Sequence, residues 1–319
     1  MELRNIAKKL DIHTIPSKLS TLIDRQSVFY SDQFSLLNHS NYSGNNRYAF
    51  AYFHGRPSIG IAEFDECYNQ LKKLRDRILR IQVSHRAMLD VVLNAGVQSN
   101  RIHLIPIGVS ISAFYQVNKS REQVRSEYNI PDSAVVIGSF QKDGSGWGEG
   151  NQPKLIKGPD VFLKVIENLK PRIPELFVLL TGPARGYVKA GLEKLRIPYS
   201  HLFVKSYNEI ARLYRSLDLY LVTSREEGGP KAILESMASG VPIVSTRVGQ
   251  ATDLVRHGEN GWLADIDDVE GLSHWTEWVL SHGTELKNIL DEGRRTAHLN
   301  SYDSQIPLWR NFFRGFVEP

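Results

Sequence analysis

Short apolar runs alternate with amphipathic helical patterns along nearly the whole chain. Ser27–Tyr30, Ile78–Val83 and Leu176–Thr181 are typical of such runs, with the length and side chains of buried strands. Strands that alternate with helices build a parallel sheet with helices on both faces. At 319 residues the chain is long enough for two such domains. The pattern therefore predicts an α/β protein with doubly wound sheets.

Composition excludes several classes of protein. No apolar run reaches the roughly 18 residues of a membrane-spanning helix, and the polar start MELRNIAKKL is unlike a signal peptide. Cys67 is the only cysteine, so neither an internal disulfide nor a cysteine metal cluster can form. We therefore expect a cytoplasmic protein.

The net charge of +4 is unevenly distributed. Residues 1–115 hold 14 Lys and Arg against 9 Asp and Glu, which gives +5 and leaves −1 for the rest. This asymmetry suits either an anionic partner, such as a membrane surface or a phosphorylated acceptor, or simply a solvated basic face. The basic residues form no stripe interleaved with aromatic ones, so nucleic acid is not an expected partner.

The stretch TSREEGGPKAILESMASG, residues 223–240, carries the strongest functional signal. It follows the apolar run 218–222, and Pro230 suits the first turn of a helix because that position needs no N–H. Gly240 is expected to end the helix. A strand, a glycine-bearing loop and a helix N-terminus in this order offer backbone N–H groups to a phosphate.

Two carboxylates frame this predicted phosphate site. Glu227 and Glu235 are separated by seven residues, and a carboxylate can accept hydrogen bonds from two hydroxyl groups. The pair suits a ligand with hydroxyls on both sides of a diphosphate, as in a nucleotide diphosphate-sugar. The alternative is a solvated loop charge at Glu227 and a helix-surface charge at Glu235.

This stretch, with PIVSTRVGQATDLVRHGENGWL after it, resembles the family-4 retaining glycosyltransferases of the GT-B fold. The resemblance extends over roughly residues 50–263. It implies that Glu235 holds the ribose, that Glu227 is a catalytic residue at the donor sugar, and that backbone amides hold the diphosphate. The residues at those amides are Gly228, Gly229, Pro230 and Lys231.

The resemblance implies further site residues. His54, followed by glycine at a strand end, corresponds to the family's active-site histidine; alternatively it is a loop histidine that caps a carbonyl. Lys157 and its glycine match a diphosphate-binding pair, but Ser139 stands where the family has an arginine. Lys142 is expected to replace that charge, and the loop at Lys205 is expected to seat the base.

The glycine-rich loop after the strand at residues 134–139 is not a dinucleotide fingerprint. Its glycines follow G-x-G-x-G spacing, and the loop is too long for the tight turn that a dehydrogenase needs. No acidic residue ends a clean following strand. The sequence therefore argues against a Rossmann dehydrogenase.

The predicted layout has two Rossmann-like domains that face a cleft. Residues 1–115 form the acceptor-side domain, residues 116–300 the nucleotide-sugar domain, and residues 301–319 a helix that crosses back to the first. The polar segment 112–132 is expected to be the linker.

The first domain is expected to start with a helix, followed by a strand at residues 11–15 and a helix N-cap at Ser17. It would lack the family's first strand, which predicts an incomplete acceptor side and weak transfer by this chain alone.

The predicted function is transfer of a sugar from a nucleotide diphosphate-sugar to a hydroxyl acceptor, in glycan or glycoconjugate synthesis. The acceptor would be a glycan, a lipid-linked compound or another alcohol, with peripheral membrane contact as an option. Retention of configuration is implied by the resemblance alone, and neither a metal nor another cofactor is expected. The alternatives are a weak or inactive nucleotide-sugar-binding partner subunit and a GT-B nucleotide-sugar epimerase.

Overall fold

A computed structural model describes residues 2–15, 25–38, 42, 45–115, 119–146, 148–204 and 206–317. The chain divides into two compact units. The first comprises Met1–Gly108, Glu227–Gly229 and Tyr302–Pro319, and the second comprises Val109–Glu226 and Pro230–Ser301. The division after Gly108 lies earlier than the domain boundary predicted after residue 115.

Helices and strands alternate along the described chain, as the sequence pattern predicts. Short 3-10 turns lie at Gln33–Leu37, Ser99–Arg101, Leu155–Lys157 and Gly283–Glu285. The other elements, in order, are α1 (Glu2–Lys9), β1 (Ser27–Tyr30), β2 (Arg47–Ala51), α2 (Ala62–Leu74), β3 (Ile78–Val83), α3 (Arg86–Asn94), β4 (Ile102–Leu104), α4 (Ile111–Tyr115), α5 (Arg121–Glu127), β5 (Val135–Ser139), α6 (Pro159–Leu169), β6 (Leu176–Thr181), α7 (Gly186–Leu195), β7 (Tyr199–Leu202), α8 (Tyr207–Tyr214), β8 (Leu219–Val222), α9 (Lys231–Ser239), β9 (Ile243–Thr246), α10 (Ala251–Leu254), β10 (Trp262–Ala264), α11 (Val269–Ser281), α12 (Lys287–Leu299) and α13 (Ile306–Phe313).

Each unit contains one parallel sheet. In the second unit the strand order is β10-β9-β8-β5-β6-β7, so the direction of winding reverses between β8 and β5. This is the doubly wound arrangement of a Rossmann-like unit. In the first unit the described strands follow one another as β1-β2-β3-β4, which is one half of such an arrangement.

Alternating side chains bury both faces of each sheet. On β5, Val136 packs into one core of the second unit and Ile137 into the other. On β2, Tyr48 and Phe50 face the core beneath α2 and α3, whereas Ala49 faces α1 and α13. A strand has a side-chain period of two, so helices on both faces are needed to cover these residues.

Two predictions about the elements were wrong. The segment at residues 112–132 is not a plain linker, because it contains helices α4 and α5 with only residues 116–118 undescribed. A capping box between Ser120 and Gln123 starts α5, and Phe114 on α4 packs against Tyr214.

No strand forms at residues 11–15, where Asp11, just after α1, has a left-handed backbone conformation with φ 56°. The predicted N-cap Ser17 lies outside the described residues.

Two features are absent from the part of the chain that the structure describes: a membrane-spanning helix and a cluster of metal-binding side chains. None of the described helices is long and apolar enough to cross a bilayer. Within the same described ranges, His, Cys, Asp and Glu form no group of three or more that could hold a metal ion.

The half-buried histidine His103 predicts a pH dependence of stability. It lies on β4 with its ring 5.1 Å from that of Phe312, and burial, with Arg80 nearby, lowers its pKa to about 4. Between about pH 6.5 and pH 4 the unfolded chain therefore binds a proton that the folded chain does not. The free energy of unfolding consequently decreases as the pH is lowered through that window. His103→Gln should reduce this loss, and its thermal midpoint should rise relative to wild type between pH 7.5 and pH 5.5. A midpoint difference independent of pH would contradict the assignment.

Candidate functional site

The point at which the strand order reverses lies between β5 and β8 of the second unit. Ligands of open α/β sheets bind beyond the carboxyl ends of the strands at such a point. The loop 140–158 follows β5, Thr223–Glu226 follow β8, and α9 begins at Lys231. The sequence-predicted residues Lys142, Lys157 and Glu235 all lie on these segments.

The Lys157-Gly158 turn is attached directly to the end of β8. Gly158 has φ +61°, and a Cβ there would lie 1.8 Å from the carbonyl oxygen of Thr223. The Thr223 hydroxyl also donates to the Gly158 carbonyl at 2.8 Å. Only glycine accommodates both the left-handed backbone and this approach. The half-buried Lys157 is thereby placed beside the residues that follow β8.

A second set of contacts fixes the same turn. The backbone N–H groups of Arg225 and Glu226 donate to the carbonyl of Ile156 at 2.8 and 3.1 Å. The Arg225 guanidinium binds both carboxylate oxygens of Asp160 at 2.8 and 2.7 Å, and its hydrogen bonds lower the pKa of Asp160. Such a bidentate pair sets the relative orientation of two loops as well as their distance.

Helix α9 places Glu235 in the interior. Glu235 is 7% exposed, and its carboxylate accepts a hydrogen bond from the Tyr214 hydroxyl at 3.3 Å. Burial raises the pKa of Tyr214, so this hydroxyl remains a donor. The surface-charge alternative for Glu235 is therefore wrong.

The start of α9 differs by one residue from the prediction. Pro230 is the N-cap residue rather than part of the first turn, and the helix begins at Lys231. Gly240 ends it in the left-handed conformation, as predicted. The Gln250 amide donates to the Pro230 carbonyl at 3.4 Å, and the Lys231 ammonium lies 4.7 Å from the ring centroid of Tyr207.

A buried arginine lies beneath Ser139, where the sequence lacks the family's arginine. The Arg185 guanidinium donates to the carbonyls of Ser139, Gln141 and Thr181 at 2.7, 2.7 and 3.0 Å. It also donates to the Ser139 hydroxyl at 3.1 Å and pairs with Asp143 at 3.0 Å. Burial raises the pKa of Asp143 to about 6, although Arg185 acts in the opposite direction. This network ties the start of the 140–158 loop to β6.

In the first unit, His54 lies just after β2. It is exposed, and its ring centroid lies 5.2 Å from that of Phe34 and 4.6 Å from that of Phe53. The next residue, Gly55, is buried, and a Cβ there would lie 2.2 Å from the Phe64 ring. A glycine is therefore needed beside His54 because of close packing.

The three loop residues Glu227–Gly229 belong to the same unit. A Cβ on Gly228 would lie 1.8 Å from the Phe53 carbonyl oxygen, and the Ser84 hydroxyl donates to the Gly228 carbonyl at 2.6 Å. Because Ser84 donates its only proton there, the 3.0 Å contact with His85 requires His85 Nδ1 to be the donor. The half-buried Glu227 lies beside this fixed glycine.

Gln33, Ser84 and Arg185 were not predicted from the sequence, and the predicted residue Lys205 lies outside the described residues. Ser84 and Arg185 both follow strand ends, β3 and β6, so their position at the carboxyl edges of the sheets is a signal that could have indicated them. Gln33 lies in a 3-10 turn between strands, and no sequence signal indicates its contacts.

Comparison with known proteins connects this geometry to a family. Residues 153–296 match the family described as glycosyl transferases group 1. An N-acetyl-alpha-D-glucosaminyl L-malate synthase of Bacillus anthracis is 25% identical over 179 residues, which cover 55% of the chain and 44% of the relative. A D-inositol 3-phosphate glycosyltransferase of Corynebacterium jeikeium is 27% identical over 208 residues, or 61% of the chain and 45% of the relative.

A third relative, a lipopolysaccharide core biosynthesis mannosyltransferase of Rhizobium meliloti, is 34% identical over 125 residues, or 36% of each chain. Across the curated relatives compared, the matches cover between 36% and 50% of the relative. The chain thus matches half or less of the length of these relatives.

Solved structures show the fold. Anabaena HepE in complex with UDP and glucose aligns with a TM-score of 0.75 at 17% identity, over 98% of this chain and 89% of that chain. A sucrose-phosphate synthase of Thermosynechococcus elongatus aligns with a TM-score of 0.74 at 15% identity, over 98% and 76% of the two chains. The fold is GT-B, and residues 153–296 match the model of the group 1 glycosyl transferases.

Proposed function

We propose that this protein transfers a sugar from a nucleotide diphosphate-sugar to a hydroxyl acceptor. The observation that carries the proposal is the arrangement at the β5–β8 reversal. There the Lys157-Gly158 turn is fixed to Thr223, and α9 carries a buried carboxylate at Glu235. A cation beside a helix N-terminus suits a diphosphate, and a buried carboxylate suits the hydroxyls of a ribose.

The proposed donor contacts follow from these positions. Glu235 accepts hydrogen bonds from the ribose hydroxyls, Lys157 and Lys142 neutralise the diphosphate, and Lys205 contributes to binding of the base. Backbone amides near Gly228, Gly229 and Lys231 complete the diphosphate contacts, whereas Pro230 has no N–H to donate. These groups stabilise the charge that grows on the leaving diphosphate.

The chemical step is proposed to retain the anomeric configuration. Glu227 contacts the donor sugar and His54 acts on the acceptor side as catalytic residues, and the leaving phosphate oxygen takes the proton of the acceptor hydroxyl. The acceptor is a glycan, a lipid-linked compound or another alcohol. The excess of basic residues in the first 115 positions favours an anionic acceptor or a peripheral contact of a cytoplasmic protein with an anionic membrane.

A ligand screen followed by a product analysis tests the proposal. UDP, GDP, ADP and their sugars are compared by thermal shift, since a ligand at a hundredfold its Kd stabilises by about 2.7 kcal/mol. The stabilising donor is then incubated with alcohol and glycan acceptors, and NMR identifies the anomer formed. Binding without turnover would indicate an inactive partner subunit, and an altered donor without acceptor would indicate an epimerase. Stabilisation by none of the nucleotides would refute the proposal.

We predict that Lys157→Ala and Glu235→Ala each weaken donor binding. Both side chains contact the donor in the ground state, and hydrogen bonds to charged groups contribute about 1.5–3 kcal/mol, so calorimetry should show a roughly ten- to hundredfold loss. Lys164→Ala and Glu167→Ala, which change exposed residues on α6, serve as matched controls and should leave the affinity unchanged. Wild-type affinity in both test variants would rule out this donor site.

Glu227→Ala should distinguish the sugar from the nucleotide. Because the proposed contact of Glu227 is with the donor sugar, the variant should bind the nucleotide-sugar less tightly and the free nucleoside diphosphate as tightly as wild type. Calorimetry with the two ligands measures the difference. Equal weakening for both ligands would show that Glu227 acts elsewhere.

Lys142→Ala should lose donor affinity and rate in a salt-dependent manner. The lost interaction is an ion pair with a partly solvated diphosphate, which salt screens. The ratio of wild-type to variant kcat/KM should therefore be larger at 20 mM than at 500 mM NaCl, and Lys142→Arg should restore most of the activity. Wild-type kinetics of Lys142→Ala at low salt would exclude the role.

A further inference from the structure

We propose that Gln33 is a positioning residue for His54, and that the buried Gln33 amide determines where the His54 imidazole is presented. The proposal rests on the function proposed for His54 above. Gln33 is 0% exposed, although it lies 21 residues before His54 and in a different element. Burial of an amide costs free energy unless its N–H and C=O groups form hydrogen bonds, so a fully buried glutamine is expected to have partners.

The Gln33 amide makes hydrogen bonds to the backbone of the two residues at the strand end. Its Oε1 accepts from His54 N at 2.7 Å and from Gly55 N at 3.4 Å. Its Nε2 donates to the Gly55 carbonyl at 3.2 Å. Since both N–H groups need an acceptor and the carbonyl needs a donor, these partners allow only one orientation of the amide.

These three hydrogen bonds hold the Gln33 amide in place. With two bonds at its oxygen and one at its nitrogen, the buried amide cannot rotate without breaking all three at once. Because an unpaired polar group is costly in the interior, the backbone at His54 and Gly55 is held in this position.

The residue after Gln33 completes the arrangement. The ring centroid of Phe34 lies 5.2 Å from that of His54, and the ring centroid of Phe53 lies 4.6 Å from it. The 3-10 turn Gln33–Leu37 is itself fixed, because its N-cap Asp32 accepts from Ser35 N at 3.0 Å. Two consecutive residues of one capped turn thus fix the backbone and the ring of His54.

A double-mutant cycle tests the role of Gln33. Gln33→Met keeps the volume of the side chain but removes the amide, whereas His54→Ala removes the imidazole. Because displacement by about 1 Å can cost about a hundredfold in rate, Gln33→Met should lower kcat about ten- to hundredfold while the affinity for free nucleoside diphosphate stays at the wild-type value. In the His54→Ala background the same change should cost less than about twofold, since no imidazole remains to be positioned.

Gln82→Met is the matched control. Gln82 is also a buried amide of the first unit, on β3, and its Nε2 donates to the Ile105 carbonyl. Its removal should lower the thermal midpoint as Gln33→Met does, but with equal effects on kcat in the wild-type and His54→Ala backgrounds. Equal effects of Gln33→Met in the two backgrounds would overturn the proposal.

Hydrogen exchange separates this proposal from the proposed function. If His54→Ala keeps the wild-type kcat, or if the wild type transfers no sugar, the function assigned to His54 fails. Exchange of the His54 and Gly55 amides still reports on Gln33, because both N–H groups donate to its Oε1. Faster exchange of these amides in Gln33→Met, but not in Gln82→Met, supports the positioning role; unchanged exchange overturns it.

Discussion

The candidate site in the second unit depends on one backbone contact, between Gly158 and Thr223. The two chains approach so closely that a Cβ on Gly158 would overlap the Thr223 carbonyl, and the Thr223 hydroxyl closes the contact with a hydrogen bond. Because the contact joins the loop after β5 to the end of β8, it spans the point at which the strand order reverses. Lys157 and the Arg225–Asp160 pair are positioned by their attachment to it.

Buried polar side chains hold their neighbours in place throughout the candidate site. Arg185 holds the loop that carries Lys142, Tyr214 bonds to Glu235, and Ser84 bonds to the carbonyl next to Glu227. A buried polar group without partners is costly, so each of these side chains adopts the orientation in which its bonds are made. The candidate site residues beside them are thereby held in fixed positions.

Much of the fold could be predicted from the sequence, because strand periodicity and helix caps are local signals. The apolar runs at Ser27–Tyr30 and Ile78–Val83 are strands with those bounds, and Gly240 ends α9 as predicted. The segment around Ser120 was mistaken for a linker because its composition is polar; its capping box and the packing of Phe114 make it helical. The strand predicted at residues 11–15 failed because apolar residues alone do not supply a pairing partner.

The candidate site residues also divide into those that a local sequence signal indicates and those that it does not. Glu227 and Glu235 could be proposed because they stand in one contiguous motif, and Lys157 because it stands in a separate local Lys-Gly pair. Gln33 could not, since its bonds to His54 and Gly55 are made across 21 and 22 residues, and a glutamine in a polar turn has no distinctive spacing. Long-range side-chain bonds to the backbone depend on the packed structure, which periodicity does not encode.

The buried network beneath Ser139 explains why a serine, and not the arginine of the family, stands at this position. The Ser139 hydroxyl and carbonyl both accept hydrogen bonds from Arg185, whose single carboxylate partner is Asp143. An arginine at position 139 would lose the hydroxyl acceptor and add a second guanidinium beside a buried one that has only one balancing charge. The network therefore favours a small neutral residue at this strand end. The two cations proposed to bind a diphosphate, Lys142 and Lys157, lie outside this network, on the loop that Arg185 and Gly158 hold in place.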